Sequence, residues 1–137
     1  MKILSNYLIL SEAASKKTVW VILYTQNKLI LGKRSPSVNN PNQWNFFGGQ
    51  VDPGESDQEA AVREVAEETN FKINISDLKE IEKIGNSTYY VVKISDPSSL
   101  QITNEISKIK TFKLVNLPDN LHSKTQSFFD QLDTLFK

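Results

Sequence analysis

The sequence predicts a mixed α/β domain, with several strands around one central helix and a second helix near the C-terminus. Two observations carry that expectation. Short β-branched and aromatic runs recur between polar turns, TVWVILY at 18–24 and STYYVVKIS at 87–95 among them. Between them, residues 56–70 form a capped segment of small and apolar residues at helical spacing. A length of 137 residues with 39% hydrophobic content suits one domain over residues 1–137, with enough apolar mass for a core.

Taken in order, residues 3–10 are a short apolar stretch expected as an edge strand. Residues 18–24 read as a buried strand, Gln26 to Lys28 as a turn, and residues 29–33 as the returning arm of a hairpin. The polar segment 35–43, with Pro36 and Pro41, is a loop. Residues 45–51 start as a strand and run into Gly48 and Gly49, and Asp52-Pro53-Gly54 has turn chemistry. Ser56 and Glu59 then form a capping box, and Asn70 is suited to the left-handed conformation that ends a helix. Strands are expected over 71–75, 78–84, 87–95 and 109–115. A closing helix is expected over 123–136, with Ser123 and Gln126 as its capping box and Phe128, Leu132, Leu135 and Phe136 as its stripe.

Composition removes several function classes. Sixteen bases balance sixteen acids, so a generally cationic nucleic-acid binder and a polyacidic tail are both disfavoured, and no DNA partner is expected. The absence of cysteine excludes disulfides, thiolate metal sites and a cysteine nucleophile, and the single histidine, His122, excludes a His-rich metal site. His122 itself reads as a surface residue beside a helix start. No apolar run reaches the roughly 20 residues that span a bilayer. The first residues turn polar too early for a secretory signal, so a soluble, cytoplasmic protein without membrane contact is expected.

The charge is unevenly placed. Residues 50–69 hold seven acids (Asp52, Glu55, Asp57, Glu59, Glu64, Glu67 and Glu68) against one base, Arg63, which leaves this window 6 units negative and the remainder 6 units positive. Like charges at helical spacing cost about 0.2–0.5 kcal/mol per pair, and a bound cation would offset that cost. Glu64, Glu67 and Glu68 are spaced to share one helix face, Arg63 lies four residues before Glu67, and Glu55 sits in the preceding loop. Hard divalent cations prefer such carboxylate oxygens. On spacing alone a solvated acidic helix face explains the same residues. The paired glycines just upstream, where a backbone can approach a ligand closely, favour a site.

The stretch from Gly49 through Glu55 to Arg63-Glu64-Val65-Ala66-Glu67-Glu68-Thr69-Asn70-Phe71 resembles the Nudix box: Gly, five residues, Glu, seven residues, Arg-Glu, an apolar residue, any residue, Glu-Glu, any residue, Gly, an apolar residue. Every defined position of residues 49–71 matches except Asn70, which stands where the family has Gly. Asn is the next most tolerant of positive φ. The approach Trp44-Asn45-Phe46-Phe47-Gly48-Gly49 is also similar, with Phe47 in place of the usual Pro.

The resemblance implies an α/β/α sandwich with a mixed β-sheet, a central catalytic helix and a C-terminal helix. It implies Mg²⁺-dependent hydrolysis, with Mn²⁺ as a substitute, of a nucleoside diphosphate linked to another moiety X. By position, Glu64, Glu67 and Glu68 resemble metal ligands, Glu55 an auxiliary ligand through water, Gly49 a carbonyl ligand, and Arg63 the residue that orients the glutamates. The general base is either a box glutamate or Glu105 on a later loop. Arg34 is a candidate for phosphate contact, while Trp44 stacks on a base or caps the core, and Gly48 lets substrate approach the strand. One of Tyr89 and Tyr90 faces the inner side of its strand, and Trp20 reads as core.

A nucleoside triphosphate, ADP-ribose, a sugar nucleotide or a dinucleoside polyphosphate are all open as substrate. Small size favours a free nucleotide or derivative over capped RNA; the 6-unit positive excess outside the box leaves some room for RNA, but it is not concentrated in one run of sequence. A catalytically inactive nucleotide-sensing module is the alternative, and an interaction domain that meets a basic partner is a third class. Monomer and homodimer are both open.

Overall fold

The computed structural model describes residues 16–122 together with Phe128 and Leu132. Strand β1 (Thr18–Thr25) shows why its β-branched run folds as it does. Val19, Val21 and Leu23 enter one core cluster, while Trp20, Ile22 and Tyr24 pack on the opposite side, so the period of two is buried on both faces. Gln26 takes φ 53° in the turn to β2 (Lys28–Arg34), closing the expected hairpin.

The strand expected over 45–51 is two strands, β3 (Trp44–Asn45) and β4 (Phe47–Gln50). The break falls at Phe46, whose N–H donates to Asn45 Oδ1 at 2.8 Å, and there the pairing passes from β2 to β1. Helix α1 (Asp57–Thr69) follows. Ser56 caps it, its side chain accepting from Glu59 N–H while Glu59 Oε1 accepts from Ser56 N–H, and Asn70 ends it at φ 58° in the left-handed region.

No strand forms over 71–75. Once Asn70 has turned the chain, only Ile73 plunges into the core, and Asp77 Oδ2 accepts from Asn74 N–H to close a short 3₁₀ turn at Ile75–Asp77. Strands β5 (Lys79–Ile84) and β6 (Ser87–Lys93) form a hairpin, with β6 parallel to β1. Tyr90 joins the helix-side cluster and Tyr89 the other, so both are buried. The last strand, β7 (Ile106–Lys113), starts three residues earlier than expected, because a bulge lets Ile106 pair with Arg34. Residues 114–116 form a 3₁₀ turn instead of continuing it.

The described residues form one mixed seven-stranded sheet with a hydrophobic cluster on each face. Helix α1 covers the first cluster through Ala60, Ala61 and Val65, whose small side chains let it lie close to β4 and β1. Phe128 and Leu132 cover the second, joined by a helical-type bond from Leu132 N–H to Phe128 O, and the ring of Phe128 meets those of Tyr89 and Phe46. The rest of the expected C-terminal helix, and the expected strand over 3–10, lie outside the described residues. Among the described residues, no helix is long and apolar enough to cross a membrane.

Candidate active site

The site forms where the glycine end of β4 meets the middle of α1. A Cβ on Gly48 would run into the carbonyl of Val19, and one on Gly49 would lie 2.6 Å from Glu64 Oε1. Gly48 thus brings β4 hard against β1, and Gly49 leaves room for the Glu64 carboxylate against the strand backbone.

The buried stripe of α1 is Ala60, Ala61, Glu64, Val65, Glu68 and Thr69, so two carboxylates occupy positions that core packing would fill with apolar groups. Glu68 is 1% exposed and Glu64 9%. Gly48 N–H donates to Glu68 Oε1 at 2.7 Å, and Arg34 approaches the other oxygen at 4.0 Å. Burial pushes the Glu68 carboxyl up to about 8; the charges of Glu64 and Glu105 push the same way, while the Gly48 bond and Arg34 pull back only partly. Glu64 is raised by burial too, opposed by Arg63 and reinforced by Glu67 and Glu105.

Arg63 organises the remainder. Its Nε and one terminal nitrogen hold both oxygens of Glu55 at 2.8 and 3.0 Å, a bidentate fork. That second nitrogen also donates to Gln50 O at 2.9 Å, which ties α1 to the end of β4. The other terminal nitrogen donates to Glu64 at 3.0 Å and to Glu67 at 3.2 Å. Glu55 also accepts from Asp52 N–H, and the guanidinium bond holds its carboxyl below the usual range. Surrounded by carboxylates, Arg63 is held more firmly protonated than usual.

The structure therefore brings Arg34, Gly48, Gly49, Glu55, Arg63, Glu64, Glu67 and Glu68 together. They are not equivalent. Glu67 is half exposed and turned onto Arg63, whereas Glu64 and Glu68, one helical turn apart, are buried. Among the described residues, no three carboxyl groups lie close enough together to share a metal ion as the side chains stand. The donor set nevertheless fits a divalent cation: it is all oxygen, and two of its carboxylates are buried with less positive charge nearby than their ionised forms require.

Two further residues singled out from the sequence lie in the core around the site. Trp44 is 8% exposed and meets the ring of Phe112 edge-on at 5.0 Å, so its ring belongs to the core and offers no open face for a base. Gly48 donates its N–H inward to Glu68 Oε1. Three contributors were not singled out from the sequence. Asp52 adds a carboxylate 3.5 Å from Arg63, Asn39 O accepts from Arg34 Nε at 2.6 Å, and Thr103 Oγ1 donates to Glu68 O at 3.1 Å. Asp52 was visible as part of the acidic window, whereas Asn39 and Thr103 act through loops that have no pattern in the sequence. Glu105 is half-buried, and its backbone carbonyl accepts from Ser35 N–H at 2.8 Å, which seats it at the Arg34 end of β2.

Residues 14–132 match the NUDIX domain family. The chain is 31% identical over 61 residues to an Escherichia coli CTP pyrophosphohydrolase, covering 44% of this chain and 45% of that protein. It is 34% identical over 58 residues to an Erythrobacter litoralis RNA pyrophosphohydrolase, covering 42% and 35%. The matched stretch spans less than half the length of these relatives. A MutT protein from Methanosarcina mazei shares the fold, with a TM-score of 0.66 at 22% identity over 89% of this chain and 95% of that one.

Proposed function

The chain belongs to the NUDIX domain family, and on that basis we propose that it is a pyrophosphohydrolase acting on a nucleoside diphosphate linked to a second group, with Mg²⁺ or Mn²⁺ as cofactor. The observation that carries the proposal is the pair of buried carboxylates, Glu64 and Glu68, set against glycine backbone and ordered from outside by Arg63. A folded chain rarely keeps two such groups without a counter-charge. Glu64, Glu67 and Glu68, with the Gly49 carbonyl, would hold the ion, and Glu55 would support it through water. Such an ion would supply positive charge against the phosphate oxygens and would ease deprotonation of the attacking water.

The chain's own groups supply position and proton handling. Arg34 is placed beside Glu68 to take a phosphate oxygen once substrate displaces that loose contact. Arg63 keeps the helix carboxylates in register with β4. Glu105, whose charge already acts on both buried glutamates, is the group we assign to accept the proton of the attacking water. The water oxygen bonds to phosphorus, the bridging P–O bond breaks, and a nucleoside monophosphate and phosphorylated X leave. The relatives named for CTP and for RNA keep both a free nucleotide and a nucleic-acid end open as the substrate.

The test is a nucleotide panel read by product identity with Mg²⁺ and again with EDTA. Turnover lost on chelation, and lost in Glu64→Gln at unchanged folding, is expected. Tight nucleotide binding with no turnover under any divalent ion would overturn hydrolysis in favour of a nucleotide sensor.

A further inference from the structure

Asn70, the one residue that departs from the box, makes a contact that glycine could not make. Its Nδ2 donates to Gln101 Oε1 at 2.9 Å, across 31 residues of sequence. The left-handed φ of 58° at this position is at least as open to glycine as to asparagine, so ending α1 does not by itself call for the side chain. The bond is exposed, and water competes for both of its partners, so it adds little to global stability. What it adds is a grip on one particular segment, residues 101–105.

That segment is a strap from the C-terminal end of α1 to the start of β7. The last carbonyls of a helix lack partners inside it, and here the strap supplies them. Gln101 N–H donates to Thr69 O at 2.8 Å, and Thr103 Oγ1 donates to Glu68 O at 3.1 Å. With the Asn70 bond, Gln101 is therefore held by both its backbone and its side chain, on consecutive residues at the end of α1. Thr103 N–H then donates to Ile106 O at 3.0 Å, which closes a tight turn with Asn104 and Glu105 at its tip. At the other end, Glu105 O accepts from Ser35 N–H, and buried Ile106 pairs with Arg34. Between buried Leu100 and buried Ile106, Gln101, Ile102 and Asn104 are exposed and Thr103 and Glu105 half-buried, so hydrogen bonds rather than packing hold the strap.

We propose that Asn70 is a positioning residue for Glu105: by gripping Gln101 it sets where the strap, and with it the Glu105 carboxylate, stands relative to Glu64 and Glu68. The inference rests on the hydrolase reading, in which Glu105 accepts the proton of the attacking water. A general base must lie within hydrogen-bond reach of that proton, and a misplacement of about 1 Å can cost roughly a hundredfold in rate. A bond that adds little to folding can therefore act strongly on turnover. Glycine at position 70 would leave the helix end and the Gln101 N–H and Thr103 Oγ1 donors in place, so the strap would be loosened and not released.

The test compares Asn70→Gly, Gln101→Ala and the double variant, with Asn70→Gly repeated in a Glu105→Gln background. Steady-state kinetics with Mg²⁺ use the best nucleotide of the panel, and amide exchange of Gln101 and Thr103 is followed by NMR in EDTA. Asn70→Gly should lower kcat about tenfold, within the roughly 10²–10⁴ that a general base contributes, with KM unchanged because Arg34 and the helix glutamates are untouched. Gln101→Ala should match it, and the double variant should be no worse, since all three remove one bond. In the Glu105→Gln background, Asn70→Gly should change kcat by less than about twofold, because its only route to the reaction is gone. The melting temperature should stay at the wild-type value while both amides exchange about threefold faster. An unchanged kcat in Asn70→Gly overturns the inference. So does an equal fall with and without Glu105, or a fall with unchanged exchange at both amides. Any of these in an enzyme that turns over nucleotides leaves the hydrolase reading standing. Wild type without turnover on any nucleotide of the panel removes that reading, and the inference with it.

Discussion

Replacing Glu68 by glutamine should make the metal-free protein more stable while removing its activity. Glu68 is 1% exposed, and its carboxyl is pushed up to about 8, chiefly by burial. In the unfolded chain the same group titrates near 4.3, at about 1.4 kcal/mol per unit of difference. A raised folded-state value means that the group favours folding below the unfolded value and disfavours it increasingly as pH rises toward 8. At pH 7 the ceiling on this penalty is about 4 kcal/mol. Glutamine keeps an oxygen for Gly48 N–H, the shortest contact Glu68 makes, and gives up the attraction to Arg34 at 4.0 Å, a loss of about 1 kcal/mol. The net gain is about 1–3 kcal/mol at neutral pH, or ~4 °C of Tm per kcal/mol for a chain of this size. The assay is thermal unfolding of both proteins in EDTA at several pH values from 5 to 9. The gap between them should be near zero at pH 5 and grow with pH, and added Mg²⁺ should raise the wild type alone. A glutamine variant less stable than wild type at pH 8.5, or a gap that ignores pH, would refute the electrostatic account of Glu68.

Two further expectations concern its surroundings. Arg63→Lys keeps the charge but loses the fork that holds both Glu55 oxygens, the Gln50 carbonyl and Glu64 together, so kcat should fall by at least ~10² with a smaller change in KM, and steady-state kinetics on the best nucleotide of the panel would show it. Ser56→Ala removes the acceptor for Glu59 N–H and should lower stability by about 1 kcal/mol in denaturant titration, leaving kcat at 25 °C unchanged because the cap lies at the opposite end of α1 from Glu68.

Much of this protein is decided locally and was therefore readable in its residues. The two-faced apolar alternation of 18–24 admits only a buried strand, Ser56 with Glu59 fixes where α1 begins, and Asn70 ends it through its tolerance of positive φ. The spacing of Arg63, Glu64, Glu67 and Glu68 likewise sets who neighbours whom on the helix surface, because helical geometry alone controls it. Tertiary structure decided what no local pattern encodes. It buried Glu64 and Glu68 against the glycines while leaving Glu67 half exposed, since that depends on how α1 is rotated against β4. It decided for the core-capping reading of Trp44, denied residues 71–75 a strand partner, and split residues 44–50 between two neighbours. It also brought Gln101 within reach of Asn70, because a contact across 31 residues is a property of the assembled fold and not of either segment.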